Sequence, residues 1–310
     1  MGVSESLVQW MQSYLCDRSL SVKLGSNSSR QFTNTSGVPQ GSNLGPLLFV
    51  LYFNDVAARL GIGCKLFFAD DLKIFVVVEK LSDCQKLQEL LKIFEDWCQK
   101  NLMVISVNKC AVNSFHRGSN PIKATYTIGR TPLARVNEIN DLCVLLDVKF
   151  TFGPHRAHII DRASRQLGFL MKASKDFTDV HCLKSLYFAL VRSIVESSAA
   201  VWAPYQTTWI DRIERLQKRF VRFALRRFPW TDRLNLPPYE HRCNLLGIAT
   251  LETRRKIQQA MVAAKVILGE IDSPALLSKQ RRSIVLCSGI LSQSPELYTP
   301  STKRVNFLIL

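Results

Sequence analysis

Apolar positions recur along this chain with two different periods. Between Ser19 and Ile128 most hydrophobic runs are short and rich in β-prone residues, and from His155 onward the repeat is almost wholly helical. In the first part, Ser6 to Tyr14 predicts a helix that buries Leu7, Trp10, Met11 and Tyr14 on one side. Ser19 to Leu24 and Gln31 to Thr35 predict two strands joined by the polar turn GSNSSR. A Gly- and Pro-punctuated loop from Ser36 then enters an apolar helix, with Pro46 placed for its first turn. In KLFFADDLKIFVVV, Lys65 to Val78, two hydrophobic runs meet at adjacent carboxylates, Asp70 and Asp71, which predicts a tight hairpin. Ser82 is placed to cap a helix, with Gln85 returning the bond. Leu87, Leu90, Leu91, Phe94, Trp97 and Cys98 form the apolar stripe of that helix. Met103 to Val107, Ala111 to Phe115 and Ala124 to Ile128 read as short strands.

In the second part, Ile159, Ala163, Leu167 and Leu170 trace one helical stripe. Leu183, Leu186, Leu190 and Ile194 trace another, after a cap at Thr178. Antiparallel helices that bury these faces make a bundle. The loop TDRLNLPPY from Thr231 is the best boundary candidate, Gly247 to Glu270 adds a further mostly helical segment, and the tail after Gln280 has no clear periodicity and is expected to be loosely ordered. The expected class is α+β: a small antiparallel or mixed sheet with packed helices, then an all-helical region.

Composition adds a location for the charge. The 310 residues are 47% hydrophobic, enough for a sizeable core in one body with two lobes. Residues 1–150 carry 16 basic against 13 acidic side chains and residues 151–310 carry 25 against 12, so nearly all of the net +16 lies in the second half, as a polyanion-binding lobe requires. The nine cysteines are scattered without metal-ligand spacing, and the start does not resemble a signal peptide. Reduced thiols in an intracellular protein, nuclear or cytoplasmic and not secreted, are the plainer account. His155 and His158 can meet on a helix, but no Cys or acid completes a metal set. The longest hydrophobic run, Leu47 to Phe53, is far short of the roughly 20 residues that span a bilayer, so no membrane role is expected.

Four groups of residues carry candidate chemistry. Asp70 and Asp71 at a hairpin tip suit divalent metal binding and phosphoryl transfer, although Asp also favours solvated turns for its own backbone hydrogen bonds. In the loop, Gly37, Gly41 and Gly45 permit close backbone approach, Pro39 stiffens the path and Gln40 supplies an amide that donates and accepts. Lys109 can stabilise charge on a leaving group or deliver a proton to it, and is equally readable as a solvated Lys after a strand. Arg212, Arg215, Arg219, Arg222 and Arg226 recur at spacings of three and four, beside an apolar stripe of Ile213, Leu216, Phe220 and Phe223. Such a row can meet successive backbone phosphates; the plain alternative is a solubilising face with Asp211 and Glu214 as local partners.

The segments SGVPQG (Ser36 to Gly41) and FADD (Phe68 to Asp71), in this order and at this spacing, resemble the reverse transcriptase domain of non-LTR, jockey-like retrotransposons. Asn108 and Lys109 in SVNKC are similar to that family's Asn-x-x-Lys-like segment, and DLCVLLDVKFTF from Asp141 is similar to its primer-grip strand pair. The likeness weakens beyond Pro237. It implies a partial right-hand polymerase palm over 1–150, a thumb-like helical region over 151–236 and a helical extension with a weakly ordered tail over 237–310. It further implies that Asp70 and Asp71 hold Mg²⁺ or Mn²⁺, that Gly37, Pro39, Gln40 and Gly41 touch template and incoming nucleotide, and that Lys109 serves the leaving pyrophosphate. An RNA template and a DNA primer are the implied partners.

Polymerases of this family also use an Asp at the end of an earlier palm strand, ahead of the first helix seen here. Asp17 follows that helix and cannot replace it. The expectation is a reverse transcriptase whose catalytic set is incomplete in this chain. A catalytically inactive nucleic-acid-binding remnant is the alternative, and a scaffold without a nucleic-acid role is the third class. Loss of a palm strand is expected to expose a sheet edge that invites self-association or a partner strand, such as a missing N-terminal segment.

Overall fold

Phe53, Phe94 and Trp97 meet edge to face and stacked, with ring centroids 5.4–6.5 Å apart, and around them the first part of the chain packs. The computed structural model describes residues 4–61, 65–116, 118, 121–226, 236–273 and 305–309. The chain forms two compact units, Met1–Val136 with Lys303–Leu310, and Asn137–Thr302.

The first unit opens with α1 (Glu5–Leu15), which is a helix as predicted but buries no residue; Trp10 is 50% exposed, and Met11 and Tyr14 are half-buried. The stripe is amphipathic, yet no described element covers it. The first predicted strand is broken in two and the second is a single short strand: β1 (Arg18–Leu20) pairs with β4 (Phe32–Asn34), and β2 (Lys23–Leu24) pairs with β3 (Asn27–Ser28), which lies inside the predicted turn. The break is at Val22, whose N–H donates to the Ser29 hydroxyl at 2.9 Å.

Next come α2 (Gly45–Arg59), which has Pro46 in its first turn, and the antiparallel hairpin of β5 (Lys65–Phe68) and β6 (Asp71–Val77). Then follow α3 (Leu81–Lys100) and β7 (Ala111–Phe115). The stripe of α3 is as predicted, with Leu87, Leu91, Phe94, Trp97 and Cys98 buried and Leu90 at its margin; it shares a core with Phe53 and Val56 of α2, with Leu60 just after it, and with Leu72, Ile74 and Val112 of the strands. Trp97 also donates its Nε1–H to Asp55 at 2.7 Å, which fixes α3 against α2.

The cap of α3 differs from expectation. Asp83, not Ser82, reaches back and accepts from the N–H groups of Glu79 and Lys80, each at 3.1 Å, because a carboxylate at the third helical position is long enough to reach both donors. Met103 to Val107 is not a strand. Its alternation is real, with Val104 95% exposed and Met103, Ile105 and Val107 packed against the core, but the segment pairs with no neighbour. Of the predicted strand from Ala124, only β8 (Thr127–Ile128) pairs, with β9 (Thr131–Pro132), and β10 (Ala134–Arg135) runs parallel to β7.

The second unit begins with the hairpin of β11 (Glu138–Asp141) and β12 (Val144–Asp147). Its two turn residues, Leu142 and Cys143, both have positive φ, the backbone that a two-residue turn of this hand demands and that glycine or asparagine adopts with less strain. The Asp147 carboxylate accepts from the Phe152 N–H at 2.7 Å and the Thr151 hydroxyl at 3.0 Å, setting the entry to α4 (Gly153–Ala173). As predicted, α4 buries Ile159, Ala163, Leu167 and Leu170.

After α5 (Val180–Tyr187) the helix widens into one π turn over Phe188–Arg192 and continues as α6 (Ser193–Glu196). The buried line is Leu183, Tyr187, Val191 and Val195, spaced by four through the wider turn, and Leu186, Leu190 and Ile194 are half-buried. The cap of α5 is Asp179, which accepts from the His181 N–H at 2.8 Å, and not Thr178. The remaining helices are α7 (Ala199–Trp202), α8 (Thr207–Leu225), α9 (Tyr239–Leu245) and α10 (Leu251–Ile267). Most of the Thr231 loop lies outside the described residues. In the core, Tyr187 stacks on Phe220 at 4.0 Å and donates to the Gln217 carbonyl, while the Gln217 amide donates to Tyr239 and to the Ala249 carbonyl. A buried amide satisfied on both sides in this way fixes one packing arrangement.

His155 is 3% exposed; its Nδ1 accepts from the Leu145 N–H at 3.2 Å, so the ring is held neutral between β12 and Trp202. Burial, with lesser contributions from His158 and Arg156, pushes it down from 6.5 to about 4. The unfolded chain therefore binds the extra proton first as pH falls. Stability is complete above about 6.5 and is lost between there and about 4, by about 2–3 kcal/mol. Urea unfolding of the second unit at pH 7 and pH 4.5 should show that loss, and His155→Gln, which can still accept from Leu145, should flatten it.

Between 274 and 304 the tail lies outside the described residues, but its end does not fit the expectation of loose order. Residues Val305–Ile309 form β13, which pairs antiparallel with β6 on one side and with β7 on the other. The resulting five-stranded order is β10-β7-β13-β6-β5. The chain's own C-terminal strand thus lies between β6 and β7, and β5 and β10 are the outermost strands of the sheet.

Candidate active site

The predicted hairpin is present, and its turn is as tight as two residues allow: Phe68 pairs with Asp71, leaving Ala69 and Asp70 as the whole connection. Ala69 takes a positive φ of 51°, a conformation that favours glycine, so the tip holds backbone strain that the two strands maintain. Asp70 is exposed and Asp71 half-buried. Because Leu72 and Ile74 face the core, Asp71 lies on the other face of the sheet together with Lys73, which is buried. Sequence reasoning passed over Lys73, and the alternation along β6 was the signal that could have placed it beside Asp71.

The base of the hairpin is tied to α2 by Lys65, whose ammonium donates to the carbonyls of Ala57 and Gly61 at the helix C-terminus. Higher up, a cleft of about 170 Å³ separates the two elements, lined by Val50, Phe53, Asn54 and Ala57 of α2 and by Phe67 and Ala69 of the hairpin.

The loop that enters α2 is built by backbone contacts. Gly37 and Gly41 have φ of 72° and 78°, and a Cβ on Gly45 would stand 2.9 Å from the Pro39 carbonyl oxygen, so all three predicted glycines are required by geometry. Ser42 donates to the Pro39 carbonyl at 2.8 Å and accepts from the Gly45 N–H at 3.0 Å. Arg18 donates to the carbonyls of Ser36 and Gly37 at 3.1 and 2.7 Å, and holds the start of the loop to the β1–β4 ribbon. Neither Arg18 nor Ser42 was legible as a loop-positioning residue. Gln40 is exposed, its amide available to a ligand, and Pro39 is half-buried.

Lys109 closes a single 3₁₀ turn, Val107–Lys109, and is exposed together with Asn108. The sheet register locates it: Ile309 stands opposite Lys73 on one side and Ala111 on the other, so Lys109 leads into β7 at the end of the sheet where Asp71 begins β6. With one strand between them, β6 and β7 are about 10 Å apart. The fold thus brings Asp70, Asp71 and Lys109 to one end of one sheet.

The two carboxylates have no ion pair or side-chain hydrogen bond among the described residues, and no third His, Cys, Asp or Glu of that set joins them in a cluster. They fit a hard cation such as Mg²⁺, which commonly keeps several waters and takes one or two carboxylates together with substrate phosphates.

Residues 1–150 match the family described as reverse transcriptase (RNA-dependent DNA polymerase). This part of the chain is similar in sequence to reverse transcriptase domains. The chain is 26% identical over 224 residues to a probable RNA-directed DNA polymerase from transposon BS of Drosophila melanogaster, covering 68% of this chain and 25% of the relative. It is 27% identical over 240 residues to the RNA-directed DNA polymerase from mobile element jockey of Drosophila funebris, covering 74% and 26%. A probable RNA-directed DNA polymerase from transposon X-element of Drosophila melanogaster is 26% identical over 223 residues. The chain spans about a quarter of the length of these relatives. No solved structure gives a significant match. The matched segment contains Gly37 to Gly41, Asp70, Asp71 and Lys109, and the relatives cover more of the chain than these 150 residues.

The arginine row belongs to that second unit. Arg212, Arg215, Arg219, Arg222 and Arg226 are all exposed, and Ile213, Leu216 and Phe220 are buried on the opposite side of α8 with Phe223 at the margin. Glu214, weighed as a local partner of the row, is buried; it accepts from the Tyr239 hydroxyl and, at 2.6 Å, from the Glu252 N–H. Its charge is therefore used inside the unit. Arg212 lies over the Trp209 ring at 4.5 Å. Among the described residues no helix is long and apolar enough to cross a membrane.

Proposed function

We propose that the hairpin tip is the metal-holding part of an RNA-directed DNA polymerase site, in a palm-like unit followed by a thumb-like helical unit. In this reading Asp70 and Asp71 hold Mg²⁺ or Mn²⁺, which when bound supplies Lewis-acid stabilisation of phosphoryl oxygens. The loop from Gly37 to Gly41 positions template and incoming nucleotide through its backbone and the Gln40 amide. Lys109, at the same end of the sheet, stands to stabilise charge on the leaving pyrophosphate. The Arg212 to Arg226 row contacts the phosphates of the template–primer duplex without reading its sequence.

The observation that carries this reading is the pair of carboxylates without internal partners at a strained two-residue turn, inside the reverse transcriptase-matched segment. Mn²⁺ titration followed by nuclear magnetic resonance tests it independently of activity. Paramagnetic broadening should centre on residues 68–73 and grow when a deoxynucleoside triphosphate is added. Asp70→Asn with Asp71→Asn should remove it. Broadening that is the same in the double variant would exclude the tip as the metal site.

A further inference from the structure

Strands β6 and β7 are both antiparallel to β13 and therefore parallel to each other, and α3 connects them. A helix with its side chains is about 10–12 Å wide, whereas adjacent strands are about 4.8 Å apart. A strand–helix–strand unit with its strands two spacings apart leaves a one-strand gap, and both inner edges of that gap present backbone N–H and C=O groups that need partners. Nothing between residues 78 and 110 supplies a strand for it, since that stretch is α3 and the coil after it.

Five residues from the far end of the chain fill the gap in strict register. Val305 stands opposite Val77 and Phe115, Phe307 opposite Phe75 and Asn113, and Ile309 opposite Lys73 and Ala111. The chain leaves the first unit after Val136, builds the whole of the second and then returns.

We infer that the gap between β6 and β7 is a strand-acceptor site, closed in this chain by its own residues 305–309 and able to take an extended apolar peptide of the same direction and register in their place. Recognition by a ladder on both edges depends on backbone groups, and so tolerates different side chains. The covalent connection makes the chain's own strand an intramolecular competitor, so a free peptide enters when that strand is disabled.

The occupant matters for the acid pair, a consequence that rests on the polymerase reading above. Running opposite to β6, a strand in the gap reaches the level of Asp71 two positions beyond the residue facing Lys73. The strand VNFLI brings no carboxylate of its own to the gap. Which strand fills the gap therefore decides which side chains stand beside Asp70 and Asp71.

Amide hydrogen exchange on the full 310-residue chain tests the inference and does not depend on catalysis. In the parent chain, 73–77 and 111–115 should be protected together. Phe307→Pro, which a central strand cannot accommodate, should remove protection from both segments while α4 and α8 keep theirs. Phe307→Val should change neither. Added to the Pro variant, a synthetic peptide with the sequence of 303–310, KRVNFLIL, should restore protection to both segments at once. Unchanged protection in the Pro variant, or a peptide that restores neither segment or only one, overturns the inference.

If the Pro variant unfolds throughout, cysteine pairs decide. Asn306→Cys with Val76→Cys should form an intramolecular disulfide under oxidation, and Asn306→Cys with Ile74→Cys, two residues out of register, should not. Equal yields from the two pairs, or a disulfide that links two chains, overturn it.

Discussion

The purified 310-residue chain is expected to give no template-dependent primer extension above background, in Mg²⁺ or in Mn²⁺. Catalysis of phosphoryl transfer is almost wholly positioning and electrostatic stabilisation, and losing one group that acts at the reacting centre typically lowers the rate by about 10²–10³-fold. Two carboxylates with waters can bind a cation, but clamping both the attacking and the leaving oxygen takes a pair of metal ions about 3.5–4 Å apart and correspondingly more oxygen ligands. Among the described residues no third acid joins Asp70 and Asp71, and the strand between β6 and β7 is VNFLI. Extension on an RNA template with a DNA primer, scored against Asp70→Asn, is the deciding assay. Template-dependent product in the parent chain that disappears in Asp70→Asn would show that two acids suffice here and sink the prediction.

Elements that consolidate from neighbouring residues could be read from the chain. The Lys65 to Val78 hairpin, the α3 stripe through Trp97 and the α4 stripe through Leu170 depend on local period and turn chemistry, and they form where those signals lie. What escaped reading depends on distant partners. VNFLI is a strand only because β6 and β7 leave a gap roughly 200 residues upstream, and Met103 to Val107, with equally good alternation, has no such gap to enter. The single π turn at Phe188–Arg192 goes with a buried line of Tyr187, Val191 and Val195 at a constant spacing of four, which the expected spacing of three and four did not encode.

The candidate site follows the same division. Asp70, Asp71 and the three loop glycines were legible because a turn and a close approach restrict residue type. Arg18, which ties the loop through two carbonyls, carries no such mark. Nor did the sequence disclose that Glu214 faces inward. Its period along α8 is compatible with either side, and the choice was made by Tyr239 and the N-terminus of α10.

That inward turn of Glu214 sharpens the expectation for the arginine row. Replacing Arg215, Arg219 and Arg222 with Gln is expected to weaken binding of an RNA–DNA hybrid by roughly 10²-fold at about 0.1 M salt, and to reduce the slope of log affinity against log salt by about 2–3. Each guanidinium that meets a phosphate releases condensed counterions, so the loss should fall on the slope as well as on the affinity. It should be nearly the same for hybrids of different sequence, because phosphate contacts carry little base information. The substitutions leave the buried face of Ile213, Leu216 and Phe220 untouched, and Gln has a helix propensity close to that of Arg, so the fold should persist. With Glu214 bonded to Tyr239 and Glu252, Asp211 is the one acid on the helix surface beside the row, too little to neutralise five exposed arginines. The alternative, a face that only keeps the helix in water, makes the opposite forecast. Unchanged affinity and unchanged salt slope in the triple variant, with helix content intact by circular dichroism, would rule out α8 as the nucleic-acid face.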